Sequence, residues 1–159
     1  MFTASSFVVS GLSPQPYRHL YGLSDDDLAT YGACRYTADT SPGFPDRIEM
    51  RDAEVGETLL LVNHVSMGQD TPYKTSHAIF VCEGAQDTYQ AQNTIPQVMS
   101  RRLLSLRAFD AEGMMLDAEL AEGDAISQTV QRLLVRPKTD RIHAHYALRG
   151  CYAGLITRS

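Results

Sequence analysis

The chain has 159 residues, of which 43% are hydrophobic and 21% are charged, and this length and composition are typical of one soluble globular domain. Its formal net charge of -5 argues against nucleic acid as a partner, because phosphate backbones are bound by basic surfaces. The sequence has no apolar run of about eighteen residues, so we predict no membrane-spanning helix and no membrane partner. The first residues, Met1 to Gly11, have neither the basic start nor the long apolar core of a secretory leader.

Cysteine usage predicts a reducing compartment. The three cysteines, Cys34, Cys82 and Cys151, are widely spaced, and their odd number would leave one without a partner in a disulfide framework. We therefore expect free thiols and a cytoplasmic location.

The N-terminal half is predicted to contain one short helix among several strands. Ser24 precedes three aspartates, and a serine N-cap with acidic residues in the first turn favours a helix from Asp25 to Tyr31, ended by Gly32. Alternating polar and apolar residues predict a strand with one wet face, and continuous apolar runs predict a strand covered on both faces. The predicted strands are Phe7 to Val9, Cys34 to Thr37, the alternating Arg47 to Arg51, the continuously apolar Thr58 to Val65, and Ser76 to Val81.

The C-terminal half contains the clearest supersecondary unit. Residues 87–102 are predicted to form a loop with one helical turn, because Pro96 interrupts any longer helix. Two strands, Arg102 to Asp110 and Met114 to Ala121, form a hairpin with Gly113 in its turn. An amphipathic helix from Asp124 to Leu134 follows, and the last strands are Arg141 to Leu148 and Cys151 to Thr157. These elements predict a single α+β domain over residues 1–159, with a mainly antiparallel sheet covered by two or three helices.

His143-Ala144-His145 lies in the first of the last two predicted strands, and Cys151 begins the second. Side chains at positions i and i+2 of a strand point to the same face, so the two imidazoles would project side by side. In a hairpin, an imidazole could activate the thiol as a nucleophile, and we predict His143, His145 and Cys151 as catalytic residues. The alternatives are histidines bonded to their neighbours on a half-exposed sheet, and a cysteine that acts as a small buried hydrophobic residue.

A metal site is a second interpretation of the same histidines. Two imidazole nitrogens would need further ligands, which Cys151, His64 or Asp46 could supply from neighbouring segments. The sequence lacks the Cys-x-x-Cys and His-Glu-x-x-His spacings of established metal sites. We therefore assign no metal ligands, and the cofactor remains unknown at this stage.

Three arginines lie in apolar or strand contexts. A guanidinium drawn towards the interior of a sheet must find a carboxylate or an anionic ligand, so we predict Arg47, Arg102 and Arg107 as residues that bind a small anion. The alternative is an internal salt bridge. Its acceptor would be one of four carboxylates, namely Glu49, Asp52, Asp117 or Glu119.

Several short blocks of the sequence occur together in one bacterial family. They are Pro42 to Pro45 with Arg47, Asp52 to Glu57, Pro72-Tyr73, Ala78 to Val81, Arg102 to Ala108, His143 to His145, and Gly150 to Ala153. In this order they span nearly the whole chain, and the protein resembles the family known as domain of unknown function 1203. The resemblance identifies relatives of the protein but implies no activity. Cysteine often replaces Asp46 and asparagine often replaces Tyr146 in that family's pattern, which weakens any mechanism here that needs a thiol at position 46.

Two functions from different classes follow from these features. The first is a bacterial cytoplasmic protein that binds a small anionic compound, or acts on it as an enzyme, through a site of histidine, cysteine and arginine side chains. The second is a non-catalytic domain that binds no cofactor and associates with itself, as a homodimer, through an exposed strand.

Overall fold

Short helices and antiparallel strands make up the fold in the computed structural model, which describes residues 5–159. The α-helices within this range are α1 Asp25–Thr30, α2 Gln97–Ser100 and α3 Ala125–Leu134, and a 3-10 helix spans Arg18–Leu20. The strands are β1 Phe7–Ser10, β2 Cys34–Thr37, β3 Thr58–Met67, β4 Thr75–Cys82, β5 Gln90–Gln92, β6 Leu104–Phe109, β7 Met115–Ala121, β8 Arg141–Tyr146 and β9 Tyr152–Arg158. Met1 to Ala4, where the absence of a leader was inferred, lie outside the described residues.

The larger sheet has six strands in the order β5-β1-β9-β8-β6-β7, and every neighbouring pair is antiparallel. Helix α3 covers one face of this sheet, because its apolar stripe packs on the inward side chains of β6, β8 and β9. This core includes Ile126, Val130, Leu133, Leu104, Leu106, Ala144 and Ile156, all at most 1% exposed. The opposite face of β6 and β8 points away from α3.

The smaller sheet has three strands in the order β2-β3-β4, and it packs towards that opposite face. Its inward row begins with apolar residues, since Leu60 pairs with Val81 and Val62 pairs with Ile79. The row then continues with His64, which pairs with His77. Tyr152 of β9 belongs to the same apolar cluster, so the space between the sheets is apolar at one end and lined by imidazoles at the other.

The predicted α+β class with a mainly antiparallel sheet is confirmed, and the strands divide between two sheets. The hairpin of β6 and β7 forms as predicted, with Gly113 at a φ of 85° in its turn. Ser24 caps α1, because its hydroxyl oxygen accepts a hydrogen bond from the Asp27 amide.

Three predictions of local structure were wrong. Residues 47–51 form bends instead of a strand, because Met50 has a φ of 56° and the Asp46 carboxylate accepts a hydrogen bond from the Glu49 amide at 2.6 Å. Strand β5 was not predicted within residues 87–102, although the helical turn there exists as α2. Strand β3 is not covered on both faces along its whole length, since Asn63 and Val65 are exposed.

None of the helices within residues 5–159 is both long enough and apolar enough to cross a membrane.

Candidate functional site

His143 and His145 project from the same face of β8, as the strand period predicts. The imidazoles face the smaller sheet and are almost fully buried, with exposed fractions of 4% and 1%. On the neighbouring strand β6, Arg107 pairs with His143 and Ser105 pairs with His145. Arg107 therefore lies beside an imidazole, although its sequence context is apolar.

The smaller sheet contributes two more imidazoles to the same space. The ring centroids of His77 and His145 are 5.1 Å apart, so the two sheets meet through these side chains. Tyr152 lies at the centre of the group, with its ring 5.2 Å from His64 and 5.6 Å from His143. We call the group of His64, His77, His143 and His145 the histidine cluster.

Hydrogen bonds fix the protonation of the two β8 imidazoles. Arg141 donates from Nε to His143 Nε2 at 3.3 Å, so Nε2 must carry a lone pair and the proton of neutral His143 lies on Nδ1. His145 donates from Nδ1 to the Gly150 carbonyl at 2.9 Å, which leaves its Nε2 as the acceptor. Both arrangements suit neutral imidazoles.

Burial keeps the cluster neutral at physiological pH. Desolvation, together with the positive charge of Arg141, lowers the pKa of His143 to about 4. Desolvation also lowers the pKa of His145 to about 4, against the opposing hydrogen bond to Gly150. The pKa values of His64 and His77 are lowered mainly by the same cause.

Arg107 brings an uncompensated positive charge to this space. It donates a hydrogen bond to Ser105 at 3.1 Å, and within residues 5–159 no carboxylate forms an ion pair with it. Desolvation lowers the pKa of Arg107, and its charge opposes protonation of His77, His143 and His145. A half-buried guanidinium without a carboxylate is the feature expected of a site for an anion.

Two buried polar atoms near this position also lack partners among the described residues. They are His77 Nδ1 and the Ser66 hydroxyl oxygen, which lies two residues beyond His64 on β3. Buried polar groups are nearly always hydrogen-bonded, so these two atoms are available to bond to a polar ligand.

The cluster is not assembled as a metal site. Within residues 5–159, no three of the histidines have their nitrogen ligand atoms within 4.8 Å of one another. The group that meets this distance is Asp46, Glu49 and Cys82. Both Asp46 oxygens already accept backbone hydrogen bonds, at 2.7 Å from Cys82 and 2.6 Å from Glu49, and burial raises the pKa of the Cys82 thiol to about 12. These features favour a structural role for Asp46.

Cys151 does not join the histidines. Its half-buried thiol packs against the core on the α3 side of the larger sheet. The predicted hairpin of β8 and β9 exists, but Tyr152 occupies the position opposite His145. The sulfur instead accepts a hydrogen bond from Arg47 Nη2 at 3.1 Å.

Neither Arg47 nor Arg102 has a hydrogen bond to the histidine cluster within residues 5–159, although the charge of Arg47 adds to the desolvation that lowers the pKa of His64. Arg47 is 2% exposed and donates to the carbonyls of Tyr152 and Pro45 at 2.9 and 2.6 Å. Arg102 forms an internal salt bridge to Asp52 with a shortest distance of 2.6 Å, which is the alternative interpretation given for these arginines from the sequence. Of the three predicted anion-binding arginines, Arg107 is the one that meets the predicted histidines.

A cavity of about 390 Å³ opens beside the Arg102 salt bridge. Asp52 and Val98 line it, and both residues accept hydrogen bonds from Arg102. Arg101 also lines the cavity and forms a second salt bridge to Asp52 at 3.0 Å. Each of these two guanidinium groups thus has a carboxylate partner, whereas Arg107 has none among residues 5–159.

Sequence reasoning missed His77 and Arg141 as site residues, and it considered His64 only as a metal ligand. A signal was present in the two predicted strands that contain His64 and His77. In each strand, the histidine continues an alternating row of inward apolar residues, so pairing these strands in register would have placed the imidazoles side by side.

A family model described as "Protein of unknown function (DUF1203)" matches residues 43–158. The chain belongs to this family. The resemblance found in the sequence is thereby confirmed, and the matched range contains the whole histidine cluster and Arg107. The description of DUF1203 gives no activity. No curated protein and no solved structure has a significant match to the chain.

Proposed function

We propose that the protein binds a small anionic compound, a carboxylate or a phosphate, between its two sheets beside Arg107. The observation that carries this proposal is the half-buried guanidinium, which has no carboxylate partner among residues 5–159. An anion held there would complete the pairing that a buried charge requires.

The neutral imidazoles can form hydrogen bonds with the parts of such a ligand that do not contact Arg107. His145 Nε2 is an acceptor, because Nδ1 is occupied by Gly150, and it can accept a hydrogen bond from a hydroxyl or acid group of the ligand. His77 Nδ1 has no partner and can donate or accept. If the compound undergoes chemistry here, proton transfer to His145 is the step that this arrangement supports, with the resulting imidazolium stabilised by the bound anion.

The test is a thermal-shift screen of inorganic phosphate and small carboxylates against the wild-type protein. A ligand at a hundredfold excess over its Kd would stabilise the fold by about 3 kcal/mol and raise the Tm by roughly 5 to 10 °C. Arg107→Ala should abolish the shift. Arg149→Ala removes an exposed arginine and is the matched control, which should respond like the wild type. No wild-type response, or an equal response from Arg107→Ala, would contradict the proposal.

Self-association is a second candidate, favoured by β7. This strand lies at the edge of the larger sheet and pairs with β6 alone, and its Leu120 side chain is 66% exposed. An unpaired strand edge with an exposed apolar residue can pair with a second copy. Light scattering after size exclusion should give a dimer mass for the wild type and a monomer mass for Leu120→Lys, and a wild-type monomer would exclude this function.

We also propose a bacterial cytoplasmic location. The family resemblance supports a bacterial source, and the three cysteines are free in the structure, which suits a reducing compartment. Fractionation of a bacterial host that expresses the protein at its natural level would test this location.

A further inference from the structure

We propose that Cys151 is a site of oxidation by hydroperoxides, at which Arg47 stabilises the reacting sulfur and the Tyr146 hydroxyl binds the peroxide oxygen. This site lies on the α3 side of the larger sheet, away from the histidine cluster. It therefore goes beyond the binding of an anion at Arg107.

The first support is the position of Arg47. Its side chain is 2% exposed, and within residues 5–159 it forms no ion pair with a carboxylate. Of its three hydrogen-bond acceptors, two are backbone carbonyls and the third is the Cys151 sulfur at 3.1 Å. Arg47 therefore places a positive charge and a hydrogen-bond donor directly beside this sulfur, and such electropositive, partly exposed surroundings are those in which reactive cysteines are found.

The second support is the Tyr146 hydroxyl. Tyr146 is 5% exposed, and its buried oxygen has no hydrogen-bond partner among the described residues. The Arg47 and Arg102 guanidinium carbons lie 5.0 and 5.4 Å from the centroid of its ring. Tyr146 and Cys151 are direct neighbours, because the Tyr146 amide donates a hydrogen bond to the Cys151 carbonyl at 2.9 Å and both side chains pack in the same core cluster. A buried hydroxyl without a protein partner is available to hydrogen-bond to a ligand oxygen.

The oxidation balances with hydrogen peroxide as the oxidant. The Cys151 thiolate attacks one peroxide oxygen, a sulfur–oxygen bond forms, and the oxygen–oxygen bond breaks. Sulfur loses two electrons to the peroxide, which leaves a sulfenic acid and a hydroxide that takes a proton from solvent as water. The Tyr146 hydroxyl donates a hydrogen bond to the departing oxygen as its negative charge develops.

The chain provides internal controls for this reaction. Cys34 is exposed, Cys151 is half-buried and Cys82 is buried. If exposure alone set reactivity, Cys34 would react first. We expect the opposite order, with Cys151 reacting faster than Cys34.

The experiment treats the reduced full-length protein with hydrogen peroxide and dimedone and measures sulfenic acid adducts at each cysteine by peptide mass spectrometry. Cys151 should form its adduct about tenfold faster than Cys34. In parallel, the rate of alkylation by iodoacetamide measures how accessible and how nucleophilic the Cys151 thiol is. This reaction releases iodide and forms no negatively charged oxygen, so it does not need the Tyr146 hydroxyl.

Tyr146→Phe separates the role of the hydroxyl from that of the thiol. The variant should slow peroxide oxidation of Cys151 by about threefold or more and leave iodoacetamide alkylation unchanged. Equal or faster oxidation of Cys34 in the wild type would overturn the proposal. So would an unchanged peroxide rate in Tyr146→Phe, or an equal slowing with both reagents, which would show altered access alone.

Discussion

Acid should destabilise the protein through the buried imidazoles before it affects the paired carboxylates. In the unfolded chain a histidine has a pKa of 6.5, whereas the pKa of His143 in the fold is about 4. The unfolded state therefore binds more protons below pH 6.5, so stability present above that pH is lost as the pH falls towards 4. Each pKa unit corresponds to about 1.4 kcal/mol, so His143 contributes roughly 2 to 3 kcal/mol of loss between pH 6.5 and 4.5.

His143→Gln tests this prediction, because glutamine keeps polar atoms at the site but does not titrate. Urea denaturation at pH 6.5 and 4.5 gives the free energy of unfolding of each protein. The decrease between these values should be smaller for His143→Gln than for the wild type by roughly 2 to 3 kcal/mol. His19→Gln changes an exposed histidine and should behave as the wild type. Equal decreases in the wild type and His143→Gln would refute the argument that burial keeps this imidazole neutral.

Three further predictions concern the binding site, the salt bridge and the hairpin. A bound anion favours protonation of His145, whose pKa is about 4 in the free protein, so sulfate, whose own charge is constant in this range, should bind more tightly in calorimetry as the pH falls towards 4. A pH-independent sulfate affinity would contradict this. Arg102→Ala should lower the free energy of unfolding in urea by about 1 to 3 kcal/mol, because the Asp52 side chain is only 5% exposed and loses its shortest salt bridge. An unchanged free energy would show that the salt bridge from Arg101 is enough to stabilise Asp52. Gly113→Ala should lower the free energy of unfolding by about 1 to 2 kcal/mol, because the residue has a φ of 85° and an added Cβ would lie 2.7 Å from Gln69 Oε1. An unchanged free energy of unfolding would show that the turn adjusts to the new side chain without cost.

Local periodicity was sufficient to predict the histidine pair but not its partners. The same-face placement of His143 and His145 depends only on the period of β8, which the sequence contains. Their contact with His77 depends on the stacking of two sheets, which no local pattern encodes. The sequence could thus predict half of the cluster.

Irregular backbone explains why the thiol was misplaced. The pairing of β8 with β9 shifts register between Ala144 and His145, and Gly150 has a φ of 77° in the connection. As a result Tyr152 faces the histidines, and Cys151 lies on the other side of the hairpin. A regular hairpin was the simplest prediction, and a one-residue change of register moves a side chain to the opposite face.

We propose that Arg107 and the histidine cluster hold a small anion between the sheets, and a crystal structure with a bound anion would test this most directly. Crystals soaked in sodium selenate, a tetrahedral oxyanion similar in shape to phosphate, would locate bound anions directly through the anomalous scattering of selenium. We expect a selenium peak within hydrogen-bond distance of the Arg107 guanidinium and beside His77 or His145, and no such peak in Arg107→Ala crystals. Selenium peaks confined to exposed arginines, with none at Arg107, would contradict it.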